Sequence, residues 1–154
     1  MALRSPRGIG TVAARRSPSR REPGRAILTA ICIIAAGVIR ASLPAAEFTL
    51  AWEHSVEKTR WEERYQIDGE RLRLSEARIQ GFGAGMESPS DARLVDGWWT
   101  WRPALAPLPE LRLARSAYTR DYRLCWNTRC ATLDELVGSV GVTEVVTVTA
   151  CSSP

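Results

Sequence analysis

Phe48-Thr49-Leu50-Ala51-Trp52-Glu53 and, after a short break, Trp61-Glu62-Glu63-Arg64-Tyr65-Gln66-Ile67-Asp68-Gly69 are the residues on which the fold turns. Both runs alternate with a period of two, the period of an extended chain whose successive side chains point to opposite faces. Phe48, Leu50 and Trp52 share one side of the first run. Trp61, Glu63, Tyr65 and Ile67 share one side of the second, with Glu62, Arg64 and Gln66 opposite. Asp68-Gly69 supplies a tight turn into a third run, which aligns Leu72 with Leu74 and continues to about Ile79 before Gly81-Phe82-Gly83-Ala84-Gly85 breaks it. Three strands joined by short turns read as an antiparallel meander.

Toward the C-terminus the pattern stays extended. Residues 86–96 are polar, contain Pro89 and read as a loop. Trp98-Trp99-Thr100-Trp101 then forms a short strand with aromatic residues on both faces. Pro103, Pro107 and Pro109 forbid a regular helix or a central strand until about Leu111. Tyr118 to Trp126 and Arg129 to Ala131 flank Asn127-Thr128 as a hairpin. Thr132 and Glu135 stand at capping-box spacing for one short helix ending near Gly138, and the Val- and Thr-rich stretch Thr143 to Ala150 suits a last strand. The expected fold class is therefore all-β: a small antiparallel β-sandwich or open barrel with one short helix.

The N-terminal part reads differently. Residues 1–46 carry eight of the 21 basic side chains and one of the 17 acidic ones, and they include the uncharged run Ala26 to Ile39. Fourteen residues fall short of the roughly 20 that cross a hydrocarbon core. The stretch is read as a signal segment cleaved near Ala45-Ala46, or retained as an anchor that gives the only membrane contact. Cys32 lies inside it and is expected to leave with it. The expected organisation is a signal segment over 1–46, a β-rich domain over 47–140 and a C-terminal strand or tail over 141–154, with a periplasmic or otherwise extracytoplasmic location.

Charge narrows the functional classes. The basic excess belongs to residues 1–46, which leaves the remaining 108 with 13 basic and 16 acidic side chains. Arg60, Arg64, Arg71 and Arg73 are interleaved with Glu62, Glu63, Glu70 and Glu76, a mixed-charge solvated face and not a phosphate-binding stripe, so nucleic acid is not an expected partner.

Chemistry-bearing residues are sparse. The single histidine, His54, lies beyond Trp52 on one strand, and Glu63 lies between Trp61 and Tyr65 on the next. If the strands pair so that the two meet, they form a ligand-binding pair at the margin of the apolar face, with Gly83 and Gly85 of the glycine turn alongside. The blander reading is that both side chains satisfy each other or the turn backbone. Ser55 next to His54 is no dyad, because adjacent residues of a strand diverge. The glycine turn is followed by Glu87-Ser88-Pro89 and not by a helix, so it is a turn or bulge before it is a phosphate cradle. One histidine and no close cysteine pair supply no zinc ligand set, so neither metal nor cofactor is expected. Cys125 and Cys130 flank a two-residue turn and fall opposite each other at about 4.5 Å, within disulfide reach. Cys151 is left without a mate. Trp98, Trp99 and Trp101 are core residues, or an exposed set that stacks on a sugar or an aromatic ligand, or, with the proline loop beside them, a docking edge for a protein.

The succession His54-Ser55-Val56-Glu57-Lys58, Glu63-Arg64-Tyr65, Gly83-Ala84-Gly85-Met86, Asp96-Gly97-Trp98 and Leu124-Cys125 with Cys130 resembles a bacterial family of domains of unknown function, DUF1850, over about Phe48 to Leu136. The resemblance implies a small exported protein, often encoded beside TRAP-type transporters of the TAXI class. It assigns no catalytic or ligand residue. The expectation is thus a non-enzymatic accessory protein whose partner is a TRAP permease or its solute-binding protein. The alternative is a small periplasmic ligand-binding module, or a weak hydrolase, built on His54 and Glu63.

Overall fold

A computed structural model describes residues 30–54, 56–81, 87 and 89–152. The expected β class holds: two antiparallel sheets pack face to face with one short helix. The meander comprises Glu47–Glu53 (β3), Arg60–Asp68 (β4) and Arg71–Ile79 (β5), with Trp52 opposite Trp61 and Tyr65 opposite Leu74. The turn into β5 is Gly69-Glu70, one residue later than expected, with Gly69 at φ 63°. Between Arg64 and Tyr65 the register shifts, and the Ser75 hydroxyl of the bulge donates to the Arg64 carbonyl at 3.1 Å.

Arg123–Trp126 (β9) and Arg129–Thr132 (β10) add to the β3 side of the meander, and Trp98–Trp101 (β7) and Arg93–Val95 (β6) to the β5 side. The order of the larger sheet is β10-β9-β3-β4-β5-β7-β6. β6 falls in a stretch expected to be loop. Three residues are too few to show a period, and what makes them a strand is the two-residue turn at Asp96 and Gly97, both at positive φ as a type I′ turn requires.

Residues 30–46 depart from the expected export segment. Ala30–Ala35 (β1) and Val38–Leu43 (β2) form a hairpin turning at Ala36-Gly37, again with both at positive φ. The small sheet runs β2-β1-β11-β8, where Leu111–Ser116 is β8 and Thr143–Cys151 is β11. Its first and last strands in sequence therefore pair, Ile31 facing Ala150 and Ile33 facing Val148. Ala45, expected beside a cleavage point, is a buried residue at the corner between sheets. Its N–H donates to the Leu43 carbonyl at 2.9 Å, and the Asn127 side chain donates to the Pro44 carbonyl at 3.2 Å. Hydrophobicity alone does not separate a short signal core from a buried strand pair. The β-branched Ile31, Ile33, Ile34, Val38 and Ile39, divided by a glycine, were the discriminating sign. Met1 to Thr29, the arginine-rich part of the expected signal, lies outside the described residues.

The core forms where the inner faces meet. Ile31, Ile33, Leu111, Leu113, Val146 and Val148 come from the small sheet, and Phe48, Leu50, Tyr65, Leu72, Leu74 and Leu124 from the large one. Fully burying a side chain of the size of Ile31 or Val148 contributes roughly 1.5–3 kcal/mol. The proline segment between β7 and β8 is tied down and not loose: Leu72 and Leu108 exchange backbone hydrogen bonds at 2.8 Å, which closes the part of the β5 edge that β7 leaves open. Leu133–Val137 is the helix, α1. Thr132 caps it as expected, its hydroxyl accepting from the Glu135 N–H while the Glu135 carboxylate accepts from the Thr132 N–H at 2.7 Å.

Both disulfides lie within these sheets. Cys125 and Cys130 are directly opposite and bonded, as expected, with Cα atoms 4.0 Å apart. The second corrects the sequence reading: Cys32, expected to leave with a signal, is bonded to Cys151, expected to be unpaired. The two are diagonal neighbours across β1 and β11, a relation that exists only once the terminal strands pair.

Candidate functional site

Residues paired across antiparallel strands share a face, so the register fixes the site. Two neighbouring rows cross the inner face of the large sheet. One runs Trp52, Trp61, Ile79, Trp99, Leu94, and the next runs Leu124, Leu50, Glu63, Ala77, Trp101. The small sheet covers Phe48, Tyr65 and Leu74 but not the β6–β7 end, where Trp61, Trp99 and Trp101 are half-buried and stand apart from the core. Glu63 sits where the covered half gives way to the aromatic half.

The rings form a continuous ladder. Trp52 stacks on Trp61 with centroids 5.7 Å apart, Trp61 meets Trp101 edge-on at 6.1 Å, and Trp52 leans on Tyr122 at 6.3 Å. The Tyr65 hydroxyl donates to the Glu63 carboxylate at 2.5 Å. Burial pushes the Glu63 carboxyl above its ordinary range, and the Tyr65 hydrogen bond only partly offsets this. Tyr65 and Tyr122 are raised in turn, first by burial, and the Glu63 charge adds to both.

His54 and Glu63 are not brought together. The His54 N–H donates to the Thr59 carbonyl at 2.9 Å, which places His54 opposite Thr59, while Glu63 lies opposite Leu50. Four residues of strand separate the two positions, about 13 Å. The His54 ring caps its own turn instead, Nδ1 accepting from the Glu57 N–H at 3.4 Å. Gly83 and Gly85 lie outside the described residues.

The three tryptophans of β7 divide between faces. Trp99 and Trp101 point inward beside Ile79 and Ala77. Trp98 points outward under the Arg78 guanidinium, 4.5 Å from its ring centre, and Arg78 is itself held by buried Glu62 through an Nε bond of 2.8 Å. That outer cluster is satisfied internally.

Arg115 went unremarked in the sequence. It is almost fully buried, and its guanidinium donates to Asp121 at 3.0 Å, to Glu144 at 2.9 Å, to Asp134 and to the Gly138 carbonyl. A sign was present: in Leu111-Arg112-Leu113-Ala114-Arg115 the alternation that buries the leucines buries Arg115 as well. The arrangement joins β8, α1 and β11 and reads as structural. Among the described residues no group of three or more His, Cys, Asp or Glu side chains stands close enough to hold a metal ion. No helix there is long and apolar enough to cross a membrane, which says nothing of strands.

The sequence profile of a domain of unknown function, DUF1850, matches residues 48–133. The chain belongs to this family. The match begins at Phe48 of β3 and ends at Leu133 of α1, so it takes in the aromatic ladder, Glu63 and the Cys125–Cys130 hairpin. No curated protein and no solved structure matches the chain.

Proposed function

We propose that this protein is an extracytoplasmic, non-enzymatic accessory of a TRAP-type transporter of the TAXI class, and that it docks the permease or its solute-binding protein along the β6–β7 edge. The observation that carries the reading is that edge. β6 is the last strand of the larger sheet among the described residues, and its Leu94 and Val95 are 60 % and 53 % exposed beside the tryptophan strand. An edge strand with unpaired backbone groups and apolar side chains is a template for a partner's strand. The two disulfides support maturation outside the reducing cytoplasm. The apolar run no longer adds support, since residues 30–35 and 38–39 of it are strand. The transporter class rests on the family resemblance. The test is co-purification from gentle detergent with the permease or binding protein encoded beside it. Leu94→Glu with Val95→Glu should abolish capture at an unchanged melting temperature, and repeated failure to capture either partner counts against the reading.

A second reading, a small-ligand module, is favoured by the position of Glu63 inside the aromatic ladder. A hydrolase built on His54 and Glu63 is not favoured, because the register holds the two apart.

A further inference from the structure

The outer face of the larger sheet is mixed in charge, and the register decides which of its arginines are neutralised. Arg60 and Arg78 both reach the buried Glu62 carboxylate. One step along the sheet the balance fails. Arg64 lies opposite Glu76, Gln66 lies opposite Arg73, and Arg102 follows Trp101, whose partner Ala77 is the neighbour of Glu76. Strand alternation therefore turns Arg64, Arg73, Glu76 and Arg102 to one side. Ser75, the extra residue of the β5 bulge, lies among them, and together with Gln66 they line an open cavity of about 280 Å³. Among the described residues no acid comes within ion-pair reach of the Arg64 or Arg102 guanidinium, and Asp91 accepts from the Arg102 backbone N–H instead of its side chain. Arg73 donates to Gln66 at 2.6 Å and stands 3.8 Å from Asp68, a pair exposed to water on both sides, where it contributes little.

Three guanidiniums against the one Glu76 carboxylate give the lining an excess of two positive charges. They come from β4, from β5 and from the residue after β7, so they approach a bound group from three sides. A carboxylate offers one charge and two oxygens in a plane. A phosphomonoester offers about −1.5 to −2 charges and three oxygens that point three ways, each able to accept from a guanidinium fork. The cavity exceeds a phosphate group alone and falls near the lower end of small-molecule pockets, about 300 Å³, which leaves room for an organic part. The Ser75 hydroxyl gives its proton to the Arg64 carbonyl at 3.1 Å, so Ser75 and Glu76 present acceptors to that part and suit its hydroxyl groups. We propose that this cavity binds a small hydroxylated phosphomonoester, with Arg64, Arg73 and Arg102 on the phosphate and Glu76 on a hydroxyl. The site lies on the face turned away from the small sheet and stands independently of docking at β6.

The test uses the purified full chain in phosphate-free buffer of low ionic strength, with glycerol 3-phosphate, its carboxylate counterpart glycerate, and glycerol as calorimetric probes. Glycerol 3-phosphate should bind saturably and at least about ten-fold more tightly than glycerate, with no binding of glycerol. Arg64→Gln and Arg102→Gln should each weaken it about ten-fold at an unchanged melting temperature, because both side chains are exposed and hold no partner among the described residues. The chain carries a net charge of +4, so Arg129→Gln, which removes an exposed arginine outside the cavity, tests for diffuse attraction and should leave binding unchanged. Weakening by the two cavity variants alone upholds the inference. Equal loss in all three variants, binding unaffected by Arg64→Gln and Arg102→Gln, equal binding of glycerate, or no saturable binding of glycerol 3-phosphate overturns it. Failure to capture a transporter bears on docking at β6 and not on this site.

Discussion

Glu63 is an acid held on a face where the described residues offer it no base, and this has a pH signature. Its folded carboxyl keeps its proton to higher pH than the ordinary 4.5, because burial disfavours the charge. Folding then takes up a proton in the window above 4.5, so stability falls as pH rises through that window and stays lowered beyond it. The groups facing Glu63 are Tyr65 and Tyr122, with Asp121 next to Tyr122, and none supplies a positive charge. Glu63→Gln should accordingly melt a few degrees above the parent chain at pH 7, with the gap closing below pH 4.5. A lower melting temperature at neutral pH would show the carboxylate to be better compensated than its neighbours indicate. Arg115 is the opposite case, a buried cation with three acids. Arg115→Met keeps the apolar stem but leaves Asp121, Asp134 and Glu144 facing one another, and should cost about 3 kcal/mol in urea denaturation. That is the lower end for breaking a buried pair, because Asp134 and Glu144 retain contact with water.

At the scale of elements, α1 shows how much a short sequence signal can carry. Five residues are too few for a helix to hold by propensity, so it depends on its cap and on the burial of Leu133. Thr132→Ala should destabilise the protein by about 1 kcal/mol in thermal or urea melts. The Glu135 carboxyl is held below its usual range first by the Thr132 backbone N–H, which alanine keeps, and second by the Thr132 hydroxyl, which it loses. Its titration, followed by NMR, should therefore move only part of the way up. The stabilisation from Glu135 is present above the ordinary carboxylate range and is lost as pH falls through its lowered value. The β1–β2 hairpin gives the contrary lesson. Its apolar run satisfied the composition of a signal core, and only its partner strand, more than a hundred residues away, makes it a buried strand.

Across the whole molecule the Cys32–Cys151 bond ties the two ends of the described sandwich. It spans 119 residues, against five for Cys125–Cys130. In the chain-entropy account the longer loop constrains the unfolded chain more, by about 5 kcal/mol against about 2. Replacing Cys32 and Cys151 with serine should therefore lower the melting temperature well beyond the effect of replacing Cys125 and Cys130. Equal losses would place the stabilisation in local packing and not in the closed loop. The sandwich is also uneven: four strands face seven, and the strands left over carry the half-buried tryptophans and the exposed edge on which the functional reading rests.

The meander, the Cys125–Cys130 hairpin and the capped helix were legible in the chain because each is set by neighbours in sequence. Strand period, turn residues and cap spacing act over a few bonds, and the alternation around Trp61, Glu63 and Tyr65 already placed Glu63 on an aromatic side. The register decided what local rules leave open. It set Glu63 opposite Leu50 and not His54, joined Cys32 to Cys151, and chose which tryptophans face inward. Those outcomes belong to the tertiary structure because pairing the first strand with the last requires closing a loop of most of the chain. Only the burial of both sheets against each other makes that closure favourable, and no residue pattern within either strand encodes its partner.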